Sequence, residues 1–62
     1  MNDKIRQNKI LIADDDESAR ISGQLILENE GYEVITAVNG REAVEKFKAE
    51  DPDIILMDIV MP

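Results

Sequence analysis

Acidic side chains that could share a cation occur at two places in this 62-residue sequence, at Asp14-Asp15-Asp16 and at Asp58. Each place directly follows a short apolar run. If the two places come together, their carboxylates repel one another strongly in a partly desolvated pocket, and a cation must offset that repulsion. Hard oxygen ligands in a small open pocket favour Mg²⁺, which keeps several waters and often bridges to a phosphate. A carboxylate beside such a metal can act as a nucleophile toward phosphorus and form an acyl phosphate.

Simpler interpretations of the same residues remain open. An aspartate after a strand is often only a helix cap, and Asp16 is well placed for that role. Acidic runs are usually solvated faces, so Asp14-Asp15 alone, or Asp58 alone, favours a functional site no more than a structural one. A functional site is favoured because Asp14-Asp15 and Asp58 occur together in one sequence. Each follows an apolar run, and the elements between them are those that a shared site would need.

Other motifs also begin at Asp14. Asp14-x-Asp16-x-Ser18 after an apolar strand resembles the opening motif of haloacid-dehalogenase-like phosphatases, and it resembles the start of a calcium-binding loop. The calcium interpretation fails because Ala19 stands where that loop has glycine, and Leu25 stands where its last ligand is glutamate. A phosphatase-like enzyme therefore stays open as a hypothesis at this point.

The composition excludes several kinds of chemistry. The chain has 14 acidic and 7 basic residues, a formal net charge of −7, and neither histidine nor cysteine. It can form no disulfide, no thiolate zinc site and no Ser-His-Asp triad. The acidic balance argues against direct binding to nucleic-acid phosphates. Neither a membrane span nor a signal peptide is indicated, so we expect a protein of the reducing cytoplasm.

The apolar patterning predicts strand, helix, strand, helix and strand, in that order. Residues 9–13 and 54–57 are short continuous apolar runs, typical of strands buried in a parallel sheet. Residues 33–37 are rich in β-branched side chains, which favour a strand. Short connections between alternating strands and helices indicate a parallel α/β sheet with right-handed crossovers.

The two segments between these strands carry helical signals. Capping residues mark the ends of the first helix, with Asp16 or Glu17 at its start and Gly31 at its stop. The second helix follows Asn39-Gly40 and ends at the proline turn of residues 51–53. The predicted core stripes are Ala19, Gly23, Ile26 and Leu27 in the first helix, and Ala43, Val44 and Phe47 in the second.

This order of elements would position the acidic residues. Ligands of open α/β sheets bind outside the carboxyl ends of the strands. If the first and third strands are neighbours, Asp14, Asp15 and Asp58 converge at that edge. The chemistry described above therefore depends on those two strands lying side by side.

Several motifs, in the right order and spacing, resemble the receiver domain of two-component response regulators. They are Lys9-Ile-Leu-Ile-Ala-Asp-Asp-Asp16, Arg20, Glu30-Gly-Tyr-Glu-Val34, Ala37-Val-Asn-Gly40 and Pro52-Asp-Ile-Ile-Leu-Met-Asp-Ile-Val-Met-Pro62. The resemblance implies an α/β fold, half of a flavodoxin-like, doubly wound parallel sheet of pattern βαβαβ and strand order 2-1-3. The domain would comprise residues 9–62, after a polar lead-in of residues 1–8.

The resemblance also implies roles for individual residues. Asp58 would accept a phosphoryl group, in a phosphorelay that transduces a signal. Asp15 would bind Mg²⁺ directly and Asp14 largely through water, and the backbone carbonyl of Val60 would be the remaining protein ligand. Phosphate would come from a sensor histidine kinase or a small acyl-phosphate donor, and the domain itself would not be an enzyme.

A second surface is implied on the first helix. In receiver domains the outer side of this helix docks against the helical bundle of the kinase. The candidate docking residues here are Ser18, Ser22, Leu25 and Ile26.

The chain departs from the receiver pattern in its extent. A receiver is longer, and its Ser or Thr after the fourth strand and its Lys after the fifth both contact the phosphoryl group. Residues 1–62 contain no counterpart of either. We therefore expect a truncated receiver that binds Mg²⁺ weakly and is impaired in phosphotransfer.

The outer edge of the third strand would be open and apolar in such a half-domain, and proteins avoid edges of that kind. We therefore expect a homodimer through this edge, or an exchange of strands between copies. The alternative function is a self-associating half-domain with a structural or interaction role and no phosphorelay activity. The phosphatase hypothesis is less favoured, because that family needs no acceptor like Asp58 and its own later Lys and acidic motifs are absent.

Overall fold

A computed structural model describes residues 8–58 of the chain. Five elements follow one another in the predicted order. They are β1 (Lys9–Asp14), α1 (Glu17–Asn29), β2 (Glu33–Ala37), α2 (Gly40–Glu50) and β3 (Ile54–Asp58).

The three strands form one sheet in the order β2-β1-β3. Both pairings are parallel, with Leu11 opposite Ile35 on one side of β1 and opposite Ile55 on the other. The α/β class, the βαβαβ pattern and the strand order 2-1-3 are confirmed. The carboxyl ends of β1 and β3 therefore lie side by side.

The apolar run of β1 forms the centre of the core. Ile10, Leu11, Ile12 and Ala13 are all buried, since β1 has a neighbour on each side and helices over its faces. Leu11 and Ala13 pack with Ala37 of β2 and Ala43 of α2 in one cluster. The prediction that residues 9–13 form a strand buried on both faces is confirmed.

A capping side chain marks the start of α1, and a glycine in a left-handed conformation marks its end. Asp16 is the N-cap, and its carboxylate accepts a hydrogen bond from the Ala19 amide at 3.4 Å. After the last helical residue, Gly31 adopts φ +100°, and Tyr32 N–H donates to the Leu27 carbonyl at 3.1 Å. A left-handed residue there allows the chain to turn back toward β2.

The second helix is capped in a similar way. The Asn39 side chain accepts from the Glu42 amide at 2.8 Å, and the Glu42 carboxylate accepts from the Val38 amide at 3.0 Å. At the other end Asp51 adopts a left-handed conformation and its amide bonds the Phe47 carbonyl. Both predicted boundaries of this helix are confirmed.

Lys9 holds the opposite, amino end of the sheet. Its ammonium donates to the carbonyl and the carboxylate of Glu50, at 3.1 and 3.3 Å. The Lys9 amide donates to Asp53 Oδ2, and the Asp53 amide donates back to the Lys9 carbonyl, both at 2.8 Å. These bonds tie the entry of β3 to the entry of β1 and so help to set the register that brings their far ends together.

The apolar run of β3 is not buried, which corrects the prediction for residues 54–57. Its side chains are between 41% and 57% exposed: Ile54, Ile55, Leu56 and Met57. The reason is that β3 is the outermost strand, while α1 and α2 pack over β1 and β2. An apolar run predicts a strand that can be buried, but it does not show whether other elements pack over that strand.

The core stripes of the helices are also only partly covered. No residue of α1 is buried, and Ile26 is 64% exposed. In α2 only Ala43 is buried, while Val44 and Phe47 are about half exposed. The predicted stripe of α1 instead lines an open groove that faces β3.

Candidate functional site

Asp14 and Asp58 are the last residues of two neighbouring parallel strands, and they are register partners. Register partners of a parallel pair lie on adjacent strands roughly 5 Å apart, with side chains on the same face of the sheet. Asp15 follows Asp14 directly. The structure therefore brings Asp14 and Asp58 together at one edge of the sheet, with Asp15 next to Asp14 in the chain.

Asp14 is the only buried charged residue in the described part of the chain, at 8% exposure. Its Oδ1 accepts a hydrogen bond from the Asp16 amide at 2.9 Å. This bond closes the turn between β1 and α1, and it leaves the other carboxylate oxygen for a further contact. Asp16 itself is occupied as the N-cap of α1, so the capping interpretation of that residue is correct.

Arg20 also reaches this edge. It lies in the second turn of α1, and its Nη1 donates to the backbone carbonyl of Asp14 at 2.9 Å. In the sequence, Arg20 stands out only as part of the receiver motif, and no contact was predicted for it. Its position could have indicated the contact, because Arg20 lies one helical turn after the N-cap and a long side chain there can extend back over the end of β1.

The carboxylates of Asp15 and Asp58 are exposed at this edge. Among residues 8–58, no group of three acidic side chains is close enough to hold a metal ion together. The donor set nevertheless suits Mg²⁺, which binds through one or two carboxylates, keeps several waters and prefers oxygen ligands.

The predicted fourth contributor is the carbonyl of Val60. Val60 lies outside the described residues, so its role stays a prediction.

An open groove of about 520 Å³ adjoins the acidic edge. Asp14 and Asp58 form its polar end, and the remainder is lined by apolar residues of α1, β1 and β3, including Gly23, Leu27 and Leu56. The groove exists because α1 does not extend over β3. The acidic edge is thus continuous with the uncovered apolar surface of the outermost strand.

The four docking candidates on α1 lie close together on the helix surface, and Ile26 also lines the groove. Their spacing of four, three and one residues places them together on a helix surface. All four are exposed: Ser18, Ser22, Leu25 and Ile26. Leu25 and Ile26 are 61% and 64% exposed, the highest values among the large apolar side chains of residues 8–58, so this surface is a candidate for a partner.

No helix in the stretch from residue 8 to residue 58 has the length and apolar character needed to span a bilayer.

The profile of the response regulator receiver domain family matches residues 10–62. The chain is 48% identical over 54 residues to the alkaline phosphatase synthesis transcriptional regulatory protein PhoP of Bacillus subtilis, covering 87% of this chain and 22% of PhoP. It is 51% identical over 55 residues to the chemotaxis protein CheY of Thermotoga maritima, covering 87% of this chain and 46% of CheY.

The fold has a close counterpart among solved structures. The chemotaxis protein CheY4 of Vibrio cholerae superposes with a TM-score of 0.86 at 40% sequence identity, covering 92% of this chain and 48% of CheY4. The chain therefore spans about half the length of these CheY proteins and less than a quarter of PhoP.

Proposed function

This chain belongs to the family of response regulator receiver domains, and we propose that it accepts a phosphoryl group on Asp58 as one step of a phosphorelay. The observation that carries the proposal is the pairing of Asp58 with Asp14 at the ends of adjacent strands. That pairing supports the proposal because it brings the acceptor beside Asp14, one of the predicted Mg²⁺ ligands. The other ligands would be Asp15, Asp58 itself and the backbone carbonyl of Val60.

The proposed step is a phosphoryl transfer to a carboxylate. An oxygen of Asp58 attacks the phosphorus, an O–P bond forms and the bond to the donor breaks. With a phosphohistidine donor the P–N bond breaks, and the imidazole takes a proton from water. When bound, Mg²⁺ would supply positive charge that offsets the carboxylates and the phosphoryl oxygens. The exposure of Asp58 supports this role, because a donor can reach it without rearrangement of the fold.

Efficient transfer would require cationic and hydroxyl groups from outside residues 1–62. In the described region the acidic edge has one nearby cation, Arg20, and its guanidinium is bound to a backbone carbonyl rather than directed at Asp58. We infer that the 62-residue chain alone binds Mg²⁺ weakly and is impaired as an acceptor. A Lys and a Ser or Thr supplied by further polypeptide would complete the site.

The partner for this function would be a sensor histidine kinase, docked on the outer face of α1. Two large apolar side chains, Leu25 and Ile26, stand exposed beyond the smaller Ser18 and Ser22, and Ile26 also lines the groove that faces β3. Such a patch fits the apolar side of a helix from a partner. In this arrangement the chain is a signalling module of the cytoplasm rather than an enzyme with its own substrate.

A second candidate function is self-association through β3, with a structural rather than a phosphorelay role. The observation that favours it is the outermost position of β3, whose four apolar side chains are exposed. A strand edge of this kind is a template for another strand. Two copies related by a two-fold axis could pair their β3 strands antiparallel and form a continuous sheet.

Beryllofluoride, which mimics a phosphoryl group on a carboxylate, tests the first candidate. We expect addition of Mg²⁺ and beryllofluoride to shift the amide resonances of Asp14, Asp15 and Asp58, weakly in this chain. Asp58→Asn should abolish the shifts. Asp51→Asn is the matched control, because it makes the same change at the C-cap of α2, where a left-handed conformation suits asparagine. A response that survives Asp58→Asn, or no response at millimolar reagent, would contradict the proposal.

A further inference from the structure

The peptide that joins Asp14 to Asp15 is held by the side chain of Arg20, which extends from α1. The carbonyl oxygen of that peptide accepts the 2.9 Å bond from Arg20 Nη1. Pairing of β1 with β2 ends one residue earlier, at Ala13 opposite Ala37. The Asp14–Asp15 peptide thus lies where the support of the sheet on the β2 side has stopped and α1 has not yet begun.

Holding this peptide restrains the backbone on both sides of it. Because a peptide group is planar, its rotation about the line that joins the two Cα atoms changes the ψ angle of Asp14 and the φ angle of Asp15 together, so a bond to the carbonyl restricts both angles. Those two angles set how the Cβ atom of each residue is oriented relative to the peptide. The Asp14 carboxylate is further held by the Asp16 amide, whereas the Asp15 side chain has no bond of its own within residues 8–58.

The contact of Arg20 is directed at the backbone and is not an ion pair. Within residues 8–58 its guanidinium donates to a carbonyl oxygen, although four consecutive acidic residues, 14–17, lie close by in the sequence. A guanidinium presents several N–H groups in a rigid plane, which suits a bond of fixed direction. The positive charge also lies next to carboxylates that repel one another.

The helix does not need this contact in order to begin. The Asp16 side chain caps α1, and the backbone amide of Arg20 makes the first helical bond to the Asp16 carbonyl at 2.9 Å. The guanidinium is therefore an addition to a helix start that is already satisfied. Its effect falls on the turn before the helix, where the acidic residues lie.

We propose that Arg20 is a positioning residue for the acidic edge: by holding the Asp14 carbonyl, it sets the directions in which Asp14 and Asp15 present their carboxylates to Mg²⁺. The inference rests on the proposed function for its purpose, since Mg²⁺ is the cation that phosphoryl transfer to Asp58 would use. Its structural part, the fixed turn, holds in the metal-free chain as well. Groups that orient metal ligands from one step away typically change metal affinity 10–100-fold when they are removed.

The test compares Arg20→Gln and Arg20→Lys with Arg41→Gln. Arg41 lies exposed in the first turn of α2, so Arg41→Gln removes the same charge without touching Asp14. Titration with Mg²⁺ alone, followed by amide resonances, should show an affinity about tenfold lower for Arg20→Gln. Arg20→Lys keeps the charge but lacks the planar group, so it should restore only part of the affinity. Arg41→Gln should match the parent chain.

A second readout needs no metal. Hydrogen exchange at the Asp15 and Asp16 amides should accelerate in Arg20→Gln and stay unchanged in Arg41→Gln. Unchanged exchange at these amides would overturn the inference, whether or not Mg²⁺ binds. Mg²⁺ affinity within twofold of the parent, or full restoration by Arg20→Lys, would also overturn it. If the parent chain binds no Mg²⁺, the proposed function fails, and the exchange data still decide the role of Arg20.

Discussion

Asp14 and Asp58 lie directly opposite each other at the carboxyl ends of β1 and β3. They are 44 positions apart in the chain, and two crossovers through α1 and α2 bring them together. One of the pair is buried and held by a backbone amide, while the other is exposed. This difference in exposure suits two different roles. Asp14 would be a fixed part of a cation site, and Asp58 would be the group that a phosphoryl donor approaches.

The first prediction concerns Asp14→Asn. Asparagine keeps an oxygen that can accept from the Asp16 amide, so the turn should survive, and the loss of one negative charge from a run of four acids removes repulsion. Without Mg²⁺ we expect the free energy of unfolding to be unchanged or slightly higher. A ligand at a hundred times its Kd adds about 2.7 kcal/mol to the stability of the parent, and the variant should lose most of that gain.

Urea unfolding with and without MgCl₂, at matched ionic strength, measures this effect. Glu17→Gln is the control, because it removes a charge from the same acidic run in the first turn of α1. An equal loss of Mg²⁺-dependent stability in both variants would mean that the cation responds to total charge rather than to a site at Asp14.

The second prediction concerns the exposed face of α1. Leu25→Ala should slow phosphoryl transfer from a phosphorylated histidine kinase domain about tenfold, as removal of a central apolar contact often does. Transfer from acetyl phosphate should not change, because Leu25 is 61% exposed and lies on α1, away from Asp58. Comparing the two donors separates docking from chemistry.

Val44→Ala is the matched control for Leu25→Ala. Val44 is 52% exposed, but it lies on α2. If Val44→Ala slows transfer from the kinase as much as Leu25→Ala does, docking on α1 is wrong. If Leu25→Ala slows transfer from both donors, its effect is on the acceptor site instead.

Much of this fold could be read from local residue types. The caps at Asp16 and Asn39 and the stop at Gly31 are set by chemistry within a few residues, so the sequence shows them directly. The strand order 2-1-3 was expected only from the resemblance to receiver domains, because periodicity cannot say which strands are neighbours.

Two features could not be read in this way. The burial of β3 depends on what packs over it, and the apolar run at residues 54–57 looks the same whether a helix covers it or not. The contact of Arg20 depends on the placement of α1 over the end of β1, so sequence spacing alone did not reveal it. The acidic edge was predictable because parallel strands end at a common edge, whereas the orientation of its side chains was not.

The third prediction concerns the open edge. Leu56 lies at the centre of β3 and is 48% exposed, so Leu56→Lys should cost the monomer little. In a two-fold antiparallel pair the two copies of residue 56 would face each other, and two lysines there would repel. We therefore expect the variant to sediment as a monomer at micromolar concentrations at which the parent forms dimers.

Sedimentation velocity over a range of concentrations measures this difference. Leu25→Lys is the control, since it places the same charge on an exposed leucine of α1. A parent chain that is a folded monomer at every concentration would refute self-association, and dissociation by Leu25→Lys instead would move the interface from β3 to α1.

The fourth prediction uses the glycines of α1 and of its C-terminal turn. A Cβ atom on Gly23 would lie 3.5 Å from Ile12 Cδ1, which is ordinary van der Waals contact. Alanine there adds helix propensity and removes freedom from the unfolded chain, so Gly23→Ala should raise the free energy of unfolding by about 0.5–1 kcal/mol. Urea or thermal unfolding followed by circular dichroism measures the change.

Gly31→Ala should have the opposite effect, although the space around it is open. Among residues 8–58, no atom outside Gly31 and its two chain neighbours lies within 4 Å of a Cβ built there, but the φ of +100° is one that residues with side chains rarely adopt. Strain of the backbone, rather than collision, should lower the free energy of unfolding by about 1–2 kcal/mol. If Gly31→Ala is neutral while Gly23→Ala stabilises, the left-handed turn after α1 is not required, and the path from α1 into β2 differs from the one described.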